Sequence, residues 1–175
     1  RNRLETGYEV NRLTTATIYH PRMISVPANP HCELARWVLD RQRIPYIEEC
    51  HAPVFAEWAT QRYGSSVVPV LDTGEAILLD ARTVVDYYET RAPQNLKLYP
   101  CDSVTHAETQ QLFDFIFDTF GVAVHVWACA YTLSLRSSTI PLWANRANWW
   151  ERLVVSAFYS WLAASERRRL PTANW

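Results

Sequence analysis

The stretch from Val67 to Glu89 constrains the fold more than any other part of this sequence. It opens with Val67-Val68-Pro69-Val70-Leu71-Asp72, turns at Thr73-Gly74-Glu75, and continues with Ala76-Ile77-Leu78-Leu79-Asp80. Two aliphatic runs joined by a tight polar turn predict a β-hairpin. From Ala81 to Glu89 the spacing becomes helical, and Asp80 stands where its carboxylate can cap the first free N–H groups. Pro69 is the anomaly. It has no N–H to give a ladder, so it belongs at a strand start or edge. A cis peptide at Val68-Pro69 is one solution, because it leaves the Val68 N–H and C=O pointing outward. Only about 5–6% of X–Pro bonds in folded proteins are cis, so spacing alone does not favour it.

Composition narrows the class. The 175 residues are 49% hydrophobic and 20% charged, with net charge −1, enough for one or two small domains with real cores. There is no basic stripe, so nucleic acid is not the expected partner. The longest apolar stretch, Gly121 to Leu135, is shorter than the roughly 18 residues of a spanning helix, and no membrane partner is expected. Arg1-Asn2-Arg3-Leu4-Glu5 leads into no apolar segment and is not a signal peptide; with no initiator Met, the chain reads as processed or as a fragment. Four cysteines, Cys32, Cys50, Cys101 and Cys129, lie scattered without a disulfide pattern, which suits a reducing compartment such as the cytoplasm.

Taken in order, residues 1–15 read as a polar tail. Ala16 to His20 is a β-type run stopped by Pro21, and a loop follows over Arg22 to Ala28. Asn29-Pro30 starts a helix, with Asn as N-cap and Pro at the first helical position; Leu34, Ala35, Val38 and Leu39 share one face, and the helix ends near 41–43. A second strand spans 44–50, a short helix 53–62, then the hairpin and a third helix over 81–91. The order is β-α-β-α-β-β-α, which is thioredoxin-like, for a domain over 16–92. Residues 93–102 form a linker. Beyond it, 103–175 carry only helical patterns: 103–134 with Leu112, Phe113, Ile116, Phe117, Phe120, Val124 and Trp127, and 143–168 with Trp150, Val154, Phe158, Trp161 and Leu162, broken apart by Ser137 to Pro141.

Val-Pro, a hairpin, then an acidic residue opening a helix resembles the second half of a glutathione S-transferase N-terminal domain, and the all-helical second domain agrees with that family in texture. The resemblance covers about 16–165. It implies a cis bond before Pro69, with the Val68 backbone pairing the cysteinyl part of glutathione, and Asp80 and Ala81 holding the γ-glutamyl end. Ala81 departs from the family's Ser, which takes away a hydroxyl. Asn29-Pro30-His31-Cys32 looks like the Cys-Pro-x-Cys of glutaredoxins and the Ser-Pro-x-Cys of several bacterial transferases, and Arg36 follows as the family's basic residue does. The first position of that motif sits at a helix N-terminus, where the dipole favours a thiolate. Asn29 can donate to the sulfur but cannot be a nucleophile. Tyr19, placed at the end of the first expected strand, is the second candidate activator, and Ser25 a third.

What the resemblance implies is an enzyme that uses glutathione as co-substrate against a small-molecule electrophile, as a homodimer. Two other classes stay open: a binding module that keeps the fold without catalysis, and a glutathione-dependent reductase acting through Cys32. The helical part is shorter than a complete member's, so the sequence is truncated or a reduced variant. His31-Cys32 and Cys50-His51 lack zinc-ligand spacing, and no metal is expected. His125 and the eight tryptophans read as core, Asp114 and Asp118 as a solvated helix face, and Arg167-Arg168-Arg169 as compensation of a helix dipole.

Overall fold

The computed structural model describes residues 19–170. Four strands form one mixed sheet: β1 (Arg22–Ser25), β2 (Ile47–Cys50), β3 (Val70–Asp72) and β4 (Ile77–Leu78), in spatial order β2-β1-β3-β4. β1 and β2 run parallel; β3 is antiparallel to both β1 and β4. The helices between them are α1 (Pro30–Arg41), α2 (Pro53–Gln61) and α3 (Ala81–Arg91). This is the thioredoxin-like β-α-β-α-β-β-α order expected from the sequence. One core joins Met23, Leu71 and Leu78 of the sheet to Ala35, Val38 and Leu39 of α1 and Val84, Val85 and Tyr88 of α3.

The first strand is displaced from its expected place. Residues 16–18 lie outside the described residues, Tyr19 and His20 are not in a strand, and the segment expected to be a loop is β1. The reason is burial on both faces. A central strand covered by helices needs a continuous apolar run, and Met23, Ile24 and Val26 are buried beside Ser25. Ser25 is polar but satisfied, since its Oγ donates to Glu48 at 2.5 Å. Pro21 sits just outside, where its carbonyl accepts the Ile47 N–H at 2.8 Å.

The second domain is all helical. A single rod runs through α4 (Ser103–Asp114), a π-helical turn at Phe115–Phe120, and α5 (Gly121–Thr132). Gly121 permits that turn. Its N–H bonds the Ile116 carbonyl five residues back, and a Cβ at 121 would lie 2.6 Å from that oxygen. The expected break at 137–141 is itself a short helix, α6 (Arg136–Trp143), with Pro141 inside it. Thr139 braces it by donating to the Leu135 and Thr132 carbonyls. The last helix, α7 (Trp149–Arg169), therefore begins six residues later than expected and kinks at Phe158.

The apolar stripes were expected as core. Most of that surface is outside. Leu112, Ile116, Phe120, Val124 and Trp127 on the rod are exposed, as are Trp150, Phe158 and Trp161 on α7. Of the tryptophans, Trp37, Trp58 and Trp149 are exposed too, and so is His125. What α7 buries is a narrow strip: Val155 and Leu162 against Ala52 and Phe55 of α2, and Tyr159 with Ala163 against Leu133. Arg167 and Tyr159 both donate to the Leu133 carbonyl, so the basic end of α7 compensates the C-terminus of α5. The rod also alters one expectation about length. Gly121 to Leu135 is short, but residues 103–132 form one helix with an apolar window long enough by length and composition to cross a membrane.

Two polar pins fasten the domains. Arg82 at the start of α3 bonds Asp114 at 2.5 Å and Asp118 at 3.1 Å, and its guanidinium lies over the rings of Phe113 and Phe117. Asp114 and Asp118 are thus a docking site for the first domain, not a free solvated face. The second pin is Glu151, fully buried on α7. It accepts the Ala52 N–H at 2.7 Å, His51 Nδ1 at 2.8 Å and Asn148 Nδ2 at 2.9 Å. Ala52 is the N-cap of α2 and has no side chain to cap with; the Glu151 carboxylate from the other domain satisfies its backbone N–H instead. Replacing Glu151 by Ala leaves buried donors without an acceptor, and the expected loss is about 3 kcal/mol. In a chain of this size that is a fall in Tm of roughly 6–12 °C, with a smaller fall for Glu151→Gln; thermal melts of both variants against wild type check it.

Candidate active site

At one end of the sheet, three segments that are distant in sequence come together. The β1–β3 register pairs Ile24 with Val70, so the segment before β3 lies at the end of the sheet where β1 finishes. The β3–β4 register pairs Leu71 with Leu78, so the segment after β4, which leads to Asp80, reaches the same end. The loop after β1 then leads into the N-terminus of α1 at the same end.

The peptide between Val68 and Pro69 is cis. Pro69 is buried in the core while Val68 is only half-buried. Neither the N–H nor the C=O of Val68 bonds any described residue, which leaves one donor and one acceptor side by side, as an extended peptide needs. Asp80 caps α3: its Oδ1 accepts the Thr83 N–H at 2.7 Å, and the Thr83 hydroxyl returns a bond to the Asp80 backbone. Its other oxygen takes no bond from a described residue, and the side chain is exposed. Ala81 is buried and offers no hydroxyl, but as first residue of the helix its N–H has no intrahelical acceptor.

Asn29 caps α1. Its Oδ1 accepts the N–H groups of His31 at 2.9 Å and Cys32 at 3.2 Å. The amide nitrogen takes no part in that cap, so the capping and donor readings of Asn29 are compatible. Behind the cap, Arg36 reaches Glu48 at 2.7 Å, Glu33 at 2.5 Å and the Ser25 hydroxyl at 3.1 Å. Burial alone would raise the Glu48 carboxyl, but the Arg36 and Ser25 bonds outweigh it and hold the group below its ordinary value. Ser25 is therefore spent inside the fold and is not free to meet a ligand.

Two candidates fall elsewhere. Tyr19 stands at the opposite end of the sheet, with its ring against Gly74 in the β3–β4 turn. At about 3.3 Å per residue that turn is roughly 20 Å from Val68. The expectation that Tyr19 ends β1 beside the other candidates is corrected by the later start of that strand. Cys32 comes from the right helix, but its thiol is fully buried, receives the Val26 N–H at 3.5 Å, and is pushed up to about 12 by burial. It is packing rather than a nucleophile. Cys50 and His51 point to different partners, Asn145 and Glu151, and among the described residues no three metal-ligating side chains gather.

One residue escaped the sequence reading as a site group. His31 follows Pro30 in the first turn of α1 and turns its ring edge-on to Phe117 of the π turn, with centroids 4.7 Å apart. Desolvation and the nearby His125 lower its pKa, and Asp80 opposes them. The first turn of α1 and the wall of the second domain thus meet at one imidazole, within electrostatic reach of Asp80. The signal lies in Asn-Pro-His-Cys, whose His the sequence offers only as a metal ligand.

The comparisons agree with this geometry. Residues 23–96 match the family model described as glutathione S-transferase, N-terminal domain. Among solved structures, the chain resembles a glutathione S-transferase from the Antarctic clam Laternula elliptica, at 19% identity and TM-score 0.53, covering 71% of this chain and 58% of that one. It also resembles a Burkholderia glutathione transferase homologue solved with bound glutathione, at 17% identity and TM-score 0.50 over 68% and 66% of the two chains. FzlA from C. crescentus aligns at 18% identity and TM-score 0.55 over 83% and 65%. At these identities the likeness is one of fold, and the chain spans about 58–66% of the length of these structures. No curated protein matches the chain. An alkylating reagent at mildly alkaline pH is expected to label exposed Cys101 first and to leave Cys32 unmodified until the chain unfolds; peptide mass mapping shows the order, and early labelling of Cys32 would contradict its buried, protonated state.

Proposed function

Since residues 23–96 match the glutathione S-transferase N-terminal domain and the chain shares the two-domain fold of solved glutathione transferases, we propose that it binds glutathione between α1 and α3 and joins the thiolate to a small electrophile. The observation that carries this reading is the open Val68 backbone before the cis proline, with the exposed Asp80 carboxylate at the same end of the sheet. The Val68 N–H and C=O pair with the cysteinyl unit. Asp80 receives the γ-glutamyl ammonium, a charge-assisted bond, and the Ala81 N–H meets its carboxylate. The sulfur then falls toward the α1 N-terminus, where the dipole and the Asn29 amide favour the anion. Thiolate attack forms the C–S bond; the electron pair leaves with the departing group or passes to the neighbouring carbon, which is protonated. The electrophile sits against the second domain, where Phe117 supplies an aromatic wall.

A second reading rests on Asn29, which cannot act as a nucleophile, and on Ala81, which lacks the hydroxyl. In that reading the chain binds glutathione without turnover. Retention on immobilised glutathione with no conjugation of a general aryl halide separates it from the enzyme. The buried Cys32 gives no support to a disulfide reductase.

Asp80→Asn tests the cradle cleanly, because Asn is as good an N-cap as Asp and the fold keeps α3. Loss of the charge is expected to weaken glutathione about 10- to 100-fold, the equivalent of a charged hydrogen bond. Calorimetric titration of both proteins measures this, and equal dissociation constants would show that the γ-glutamyl end lies elsewhere.

A further inference from the structure

The groove holds an ionisable group that the family resemblance does not assign. His31 is half-buried, and neither ring nitrogen bonds a described residue. Neither nitrogen is shut off from solvent, so both are open to a ligand bound there. Its ring is not loose: the edge contact to Phe117 fixes it from the second domain, and the His31 backbone N–H donates to Asn29 Oδ1. The nearby titratable groups are Asp80 from the start of α3 and His125 from α5. The Arg82 charge on the same wall is already paired with Asp114 and Asp118. The other candidate activators are spent or misplaced: Tyr19 is at the far end of the sheet, Ser25 is bonded to Glu48 and Arg36, and Asn29 has no proton to take or return.

We propose that His31 is the catalytic base of this site, accepting the proton of the glutathione thiol. This rests on the glutathione reading above. The S–H bond breaks, the proton passes to a ring nitrogen, and the electron pair stays on sulfur. The imidazolium stabilises the thiolate beside it. The thiolate forms the C–S bond, and the imidazolium returns its proton to the leaving group or to the adduct carbon. Burial and His125 favour the neutral ring before glutathione binds, which is the form a base requires.

The test compares the full chain with His31→Phe, which removes both nitrogens and keeps an aromatic edge for Phe117. Bound glutathione is titrated by its ultraviolet thiolate absorbance, and S-methylglutathione, which has no thiol to ionise, is titrated by calorimetry. In wild type the bound thiol is expected to ionise well below free glutathione. In the variant the thiolate fraction at neutral pH should fall about tenfold, one pKa unit, with S-methylglutathione affinity within about twofold. A variant that keeps the wild-type thiolate titration overturns the role of His31 while sparing the binding site. A variant that loses S-methylglutathione shows a structural role instead, which also overturns it. If wild type binds neither ligand, the glutathione reading fails and this proposal with it.

Discussion

The register of β3 between β1 and β4 is the constraint on which the site depends. Ile24 against Val70 and Leu71 against Leu78 are buried pairs. Val70 and Leu71 point to opposite faces and both are fully buried, so a slip of one residue would exchange their surroundings and carry Asp72 into a buried position. The cost of misplacing large aliphatics, about 1.5–3 kcal/mol for each one left uncovered, fixes the pairing. Val68 and Asp80 are then juxtaposed without needing to attract each other, and neither contributes to the core. The groove is a by-product of packing at the opposite end of the molecule's hydrophobic pattern, so its polar atoms remain free to be matched by a ligand.

The two domains are joined by specific polar contacts where broad apolar contact is thin. Arg82 ties the first turn of α3 to the rod, and Glu151 ties α7 to the start of α2. Both pins act at helix N-termini of the first domain, one directly beside Asp80. Movement of the rod relative to α3 would therefore carry Phe117 away from His31. Positioning of the electrophile wall and fastening of the domains are two effects of the same few side chains.

Much of the first domain was legible in the sequence because its signals are local. Asn29-Pro30, the Asp/Gly turn and Asp80 each specify a cap or a turn through their own chemistry, and the structure has each of them in place. β1 was missed because a buried central strand has no alternation to read; Arg22-Met23-Ile24-Ser25 resembles a loop until its neighbours on both faces are known. Tyr19 was misplaced as a consequence. In the second domain, periodicity locates the helices but does not say which apolar face is covered, and Trp127 and Trp161, expected in the core, are exposed. Glu151 was hidden for a different reason. Asn148-x-x-Glu151 has capping-box spacing, but its carboxylate serves a helix one hundred residues earlier in the chain.

The π turn has a consequence for how this helix can vary. Five-residue closure between Ile116 and Gly121 accommodates one amino acid more than α-helical winding of the same path would. A shortened relative lacking a single position between 115 and 120 could thread that path as uninterrupted α-helix, with Asp114 and His125 still in phase. A side chain at 121 has no such escape, because it meets a carbonyl oxygen at 2.6 Å. Here a one-residue deletion is the gentler mutation, and substitution at 121 the harsher one.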